Sequence, residues 1–120
     1  MQTVILDTNA LLMPFEIGMN IDLAVRNVLG DVRMVVPEPL IGELGRSKNK
    51  FAKVAIKRAQ KYEIVPTENM GDNAVLELAV RTEGIVLTND RELRSRLRAL
   101  KIPTLYLRSG THLILEEMKF

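Results

Sequence analysis

An α/β domain in three layers, with helices on both faces of a central parallel sheet, is what this amino-acid sequence predicts. Strand-length apolar runs recur at TVILD (3–7), RMVVP (33–37), YEIVP (62–66), GIVLTND (84–90) and PTLYL (103–107). They are mostly continuous in Val, Ile and Leu rather than alternating, as expected of strands covered on both faces. Helical patterns and short connections lie between them, and that alternation builds parallel sheets.

In chain order, the strand at 3–7 is followed by LLMPFEIGMN (11–20), apolar and Met-rich but broken by Pro14 and Gly18. It reads as an irregular loop over the core or as an exposed contact surface, the latter suiting a second copy of the chain. A helix is expected over 20–29, closed by Gly30, and a strand over 33–37. The next helix, 37–46, carries proline near its first turn, where the missing N–H costs nothing. Helix 48–62 leads into the strand 62–66. Helix 72–83 has Gly84 in the position that follows a helix end. Strand 84–90, helix 90–100 and strand 103–107 follow, and the tail 111–118 reads as a sixth helix. There is no repeat or low-complexity segment, so one domain over 1–120 is expected.

The chain has no cysteine, which excludes a disulfide framework and thiolate metal sites. Its start lacks a basic region ahead of an apolar one, and no apolar stretch approaches membrane-spanning length, so a soluble cytoplasmic protein is expected. The net charge of +2 hides a segregation. Arg46, Lys48, Lys50, Lys53, Lys57, Arg58 and Lys61 form a run with no acid, and Arg91–Lys101 is nearly as basic, leaving the remainder net acidic. A polyanionic partner beside a local acidic feature would explain that pattern.

Asp7 ends the first strand, Asp90 ends the fourth, Asp72 begins the helix in GDNAVLELAV, and Glu43 lies in the helix of PEPLIGEL. Ligands of open parallel sheets bind beyond the carboxyl ends of the strands, so these four acids are expected at one edge. There they repel one another unless a hard divalent cation neutralises them through oxygen ligation. Each also has a plainer role: Asp72 and Asp90 stand where helix N-caps belong, and Glu43 suits a solvent-facing position or a partnership with Arg81. Asp7 is the hardest to explain away.

VILDTNALL, the EL after PEPLIG, GDNAVLELA and GIVLTNDRELRSRLRALKIPTLYLR together resemble the PIN-domain nucleases over nearly the whole chain. The likeness is strongest to short stand-alone prokaryotic and archaeal members and to the PIN domains of ribosomal RNA processing. It implies a Rossmann-like sandwich and an acidic quartet of Asp7, Glu43, Asp72 and Asp90 that binds one or two Mg²⁺ or Mn²⁺ ions and hydrolyses RNA phosphodiesters. Asn9 and Thr88, and less directly Thr8 and Asn89, would orient the acids or water from behind. Glu92 is either an outlying fifth acid or an i,i+4 partner for Arg96. Three roles follow: an endonuclease of RNA processing, a toxin of the VapC kind with an antitoxin protein as partner, or an inactive RNA-binding relative. A homodimer is a further expectation.

Lys50, Lys53, Lys57 and Lys61 form one basic stripe opposite Phe51, Ala55, Ala59 and Tyr62. Arg91, Arg94, Arg98 and Lys101 repeat it opposite Leu93, Leu97 and Leu100. With Arg46, the stripes are the expected RNA contacts. Tyr62, Tyr106 and Phe51 read as core residues, and His112 as structural. Two phosphotransfer classes that also place Asp after a first strand are disfavoured on chemistry. One needs a second acid where Asn9 stands, and the other needs an acidic pair ahead of the strand, where MQTVIL has no acid.

Overall fold

Val4, Ile5 and Leu6 have no exposed surface, which is why the run they form takes the centre of the sheet. In this computed structural model, which describes residues 1–110 and 112–117, that run is β1 (Thr3–Leu6). It is followed by α1 (Thr8–Glu16), α2 (Ile21–Leu29), β2 (Arg33–Pro37), α3 (Pro39–Arg46), α4 (Ala52–Ala59) and β3 (Glu63–Val65). The second half holds α5 (Gly71–Thr82), β4 (Ile85–Leu87), α6 (Arg91–Ala99), β5 (Thr104–Ser109) and β6 (His112–Glu116). The sheet order is β3-β2-β1-β4-β5-β6. Every neighbouring pair is parallel except β5 with β6.

The order reverses between β1 and β4. The crossovers that lead away to β2 and β3 and those that lead to β4 and β5 therefore lie on opposite faces, given their common right-handedness. α1 packs against α3 and α4, while α5 lies across β1, β2 and β4. At such a reversal the carboxyl ends of two strands leave a crevice between helices that diverge to either side. Asp7 and Thr88 stand there, immediately after β1 and β4. Among the described residues, no helix is long and apolar enough to cross a membrane.

Two sequence expectations are corrected. The segment 11–20 is not irregular over its first half: α1 runs through Pro14 to Glu16, with Leu11, Met13 and Met19 buried. Proline in a helix interior costs about 3 kcal/mol, but here it falls in the second turn of a nine-residue helix whose apolar face is in the core. Burial of Leu11 and Met13, worth roughly 1.5–3 kcal/mol each, offsets it. What the segment leaves exposed is smaller: Leu12, Pro14 and Phe15 are half-buried and Ile17 is exposed.

The tail is a strand, not a sixth helix. β6 pairs antiparallel with β5 across a turn at Gly110, whose φ of +56° suits a residue without Cβ. Leu and Glu in HLILE favour a helix by propensity, and pairing to an edge strand overrides it. Residues 111 and 118 of the expected helix lie outside the described residues.

Smaller departures concern helix ends. The helix expected over 48–62 is confined to Ala52–Ala59, so Lys50 and Lys61 flank it. Glu83, not Gly84, takes the left-handed conformation after α5. Gly84 serves a different end: a Cβ there would sit 2.9 Å from the Thr3 carbonyl oxygen and 2.7 Å from Ile5 Cδ1. Only glycine lets β4 enter that close to β1.

Candidate active site

Asp7 is the N-cap of α1, a role its position at the end of a strand had hidden. Its Oδ1 accepts the Ala10 N–H at 2.7 Å, and its Oδ2 accepts the Thr88 hydroxyl. Thr88 itself has no exposed surface and Asp7 only 4 %. Burial pushes the Asp7 carboxyl up to about 7 from its ordinary 3.8. The two hydrogen bonds pull against that shift, and the charges of Asp72 and Asp90 add to it. Desolvation therefore wins over two hydrogen bonds to the charged form.

Thr88 links Asp7 to Asp90. While its hydroxyl donates to Asp7, its Oγ1 accepts the Asp90 N–H at 3.1 Å. Asp90 caps α6 by accepting the Leu93 N–H at 2.8 Å, as its position predicted. Asn9 and Asn89 brace the same edge. Asn9 Oδ1 accepts the Asn89 N–H at 2.8 Å, and Asn89 Oδ1 accepts the Leu107 N–H at 2.7 Å. The ends of β1, β4 and β5 are thus tied together behind the acids. Thr8 is half-buried at the first position of α1.

Asp72 is not a cap. Met70 holds that position, and Asp72 lies in the first turn of α5. Its carboxyl is raised by partial burial and by Asp90 and Glu92, with Arg96 acting the other way. Glu43, on α3, is raised by burial and by Asp72, and Arg46 opposes this. Its Oε2 is buried with no hydrogen-bond partner, while Oε1 faces Gly71, where a Cβ would stand 3.8 Å away. Arg81, the alternative partner for Glu43, pairs instead with Glu77. The acids are therefore linked electrostatically through Asp72: Asp7 feels Asp72 and Asp90, Asp72 feels Asp90, and Glu43 feels Asp72. Among the described residues, no three acids or histidines already surround one point as a metal cage does.

Several other expectations change. Arg96 does not pair with Glu92; it donates to Asn73 Oδ1 at 2.6 Å. Glu92 instead joins the field around Asp72. Arg98 pairs with Glu116 on β6 at 3.2 Å, and the Arg94 guanidinium lies 3.8 Å above the Tyr106 ring. Phe51, Tyr62 and Tyr106 are half-buried, and Tyr62 packs against the core. Lys50 lies 5.0 Å over Phe51, and Tyr62 donates to Asp22 at 2.6 Å. Arg46, Lys50, Lys53, Lys57, Lys61 and Arg91 are exposed. His112, at the start of β6, is exposed beside a hollow that Leu23 and Asn27 also line.

Sequence reasoning missed Glu77. Its carboxylate accepts the N–H groups of Glu68 and Asn69 and the Asn69 side chain, and it pairs with Arg81. Arg81 in turn donates to the Pro66 carbonyl at 3.2 Å. The loop that delivers Gly71 and Asp72 is thus fastened to the helix it precedes. A Glu and an Arg four apart on a helix look like ordinary surface residues, and nothing local marks the loop they hold.

A parallel sheet with this reversal and acids at its carboxyl edge defines a domain of the PIN type. The PIN like domain family matches residues 4–110, and the chain belongs to that family. It is similar to Ribonuclease VapC4 of Methanocaldococcus jannaschii, with 30% identity over 120 residues covering 90% of this chain and 92% of the relative. It is also similar to Ribonuclease VapC9 of Archaeoglobus fulgidus, 35% identical over 72 residues, which is 59% of this chain and 53% of that one. In fold it resembles the PIN domain endonuclease Utp24, with a TM-score of 0.82 at 20% identity over 97% of this chain and 92% of the other. A domain from Methanocaldococcus jannaschii whose function is unknown matches with a TM-score of 0.66 at 18% identity, over 100% and 98%.

Proposed function

We propose that the chain is a divalent-metal-dependent endoribonuclease whose reaction centre comprises Asp7, Glu43, Asp72 and Asp90. The observation that carries this reading is the state of Asp7. Its carboxyl is buried and pushed up to about 7, with two neighbouring acids adding to the shift. Holding a carboxylate in that state is costly without a cation and favourable beside one. The name ribonuclease, borne by the curated relatives, supports RNA as the polymer.

The donor chemistry fits Mg²⁺ or Mn²⁺. Every candidate ligand is an oxygen, and the unpartnered Glu43 Oε2 is an orphan of the kind an ion or its water would satisfy. Asp7, Asp90 and Asp72 would hold the ion directly or through water. Sites with one or two carboxylates and several waters are usual for Mg²⁺. Glu43 would serve a second ion or the attacking water. Bound there, such an ion supplies Lewis acidity that stabilises charge on the attacking and leaving oxygens of a phosphodiester.

The protein's own groups do the rest. The Ala10 N–H and the Thr88 hydroxyl fix both oxygens of Asp7, so the carboxylate does not reorient during reaction. Glu43 Oε2 has a free lone pair and a raised proton affinity, which suits it to take a proton from water. Lys50, Lys53, Lys57, Lys61, Arg46 and Arg91 would hold flanking phosphates by charge.

Cleavage of single-stranded RNA by purified protein in Mn²⁺ tests this. Asp7→Asn should lower the rate by at least about a hundredfold, and an undiminished rate would discard the mechanism. Between RNA processing and a VapC-type role with an antitoxin partner, the relatives' names favour the latter. Growth arrest on expression, relieved by the product of the adjoining reading frame, would support it, and arrest-free expression would return the choice to RNA processing.

A further inference from the structure

Arg96 stands on the second turn of α6 and reaches across to α5, where its Nη2 donates to Asn73 Oδ1 at 2.6 Å. Its charge acts on Asp72, and Asp72 also feels Asp90 and Glu92. An arginine in such company ordinarily forms an ion pair. Among the described residues no carboxylate lies within ion-pair distance of it, and its hydrogen-bond partner is a neutral amide. The consequence is specific. The amide oxygen anchors Nη2, while the charge meets Asp72 only at a distance and the other N–H donors have no hydrogen-bond partner among the described residues. Guanidinium forks of this kind match phosphate oxygens two at a time.

The neighbours of Arg96 on its own helix are used differently. Arg94 is stacked on Tyr106 and Arg98 is paired with Glu116. Arg91 is exposed at the start of the helix. Arg96 therefore is a pre-oriented cation at the rim of the acidic edge, where a polyanionic chain approaching four carboxylates needs a favourable contact.

We propose that Arg96, held in place by Asn73, grips a backbone phosphate of the RNA strand next to the bond that is cut. Asn73 acts as a positioning residue through it. The proposal rests on the nuclease reading for the identity of the strand, but its binding step can be tested separately.

The experiment compares wild type, Arg96→Gln, Arg96→Lys and Asn73→Ala on a short single-stranded RNA. Cleavage kinetics are measured in Mn²⁺, and fluorescence anisotropy is measured across a salt series in an Asp7→Asn background. Arg96→Gln is expected to raise KM and Kd about tenfold, the scale of one charged hydrogen bond. It should also reduce the slope of log affinity against log salt by about 1. Arg96→Lys should recover the slope but not the full affinity, because it keeps the charge and loses the fork. Asn73→Ala should weaken binding less than Arg96→Gln and leave the slope intact. Unchanged KM, Kd and slope in Arg96→Gln would overturn the proposal. So would a fall in kcat alone, which would make Arg96 a support for Asp72. Thermal unfolding of each variant checks folding, and Arg96→Lys carries the test should Arg96→Gln fail it. If the wild type proved inert on RNA, the nuclease reading would fall, and the anisotropy comparison would still decide this one.

Discussion

Asp7 concentrates the tension in the molecule. It caps a helix, accepts a buried hydroxyl, and still has a proton affinity like that of an ordinary histidine. Because its folded value is raised, the folded chain binds the proton more tightly than the unfolded chain does. The stability this gives is complete below about pH 4 and is lost as pH rises through about 7. In chelator, urea unfolding at pH 5 and pH 8 should show wild type losing stability relative to Asp7→Asn by an amount on the order of a few kcal/mol. A gain of wild type over Asp7→Asn at pH 8 would mean that Asp7 is better solvated than its burial indicates. Asp7 was legible in the sequence because an apolar run ended in a charge. Asn9, Thr88 and Asn89 were legible as its braces only through the family resemblance, because their partners lie 80, 81 and 18 residues away and no local pattern reports them.

At the scale of elements, the site depends on connections as much as on acids. Asp72 is carried by a helix whose lead-in loop is held by Glu77. The Asn69 and Glu68 N–H groups keep that carboxyl below its usual range. Glu77→Ala should free residues 66–70, with faster amide exchange there and metal affinity several-fold weaker, while β1 and β4 stay protected. Exchange unchanged at 66–70 would show that the clamp is redundant. Sequence patterns located β1 and β2 by continuous apolar runs and α2, α5 and α6 by a helical apolar period, and the buried residues follow both. α1 was obscured by Pro14, whose cost is offset by burial that no local pattern reports. β6 was taken for a helix because its partner, β5, rather than its own propensity, decides its conformation. The remote contacts of Glu77, Asn73 and Arg96 left no mark in the sequence, since each looks like a solvent-facing helical residue.

At the scale of the whole molecule, charge is divided. Acids from α3, α5 and the ends of β1 and β4 share one edge, and exposed cations flank α4 and open α6. That division is legible from composition along the chain. Which cations remain available is not, because Arg58, Arg81 and Arg98 are each bound to a carboxylate in the folded state. The arrangement suits a polyanion held along its length with one segment drawn to the acidic edge, provided a cation first neutralises that edge. The account therefore depends on a coupling between the ion and the Asp7 proton.

Calorimetric titration of Mn²⁺ at pH 7 in buffers of different ionisation enthalpy measures it most directly. Saturable binding with release of about half a proton per ion from Asp7 is predicted. In Asp7→Asn that release should disappear and the affinity should fall. No saturable binding, or the same proton count in both proteins, would contradict the account.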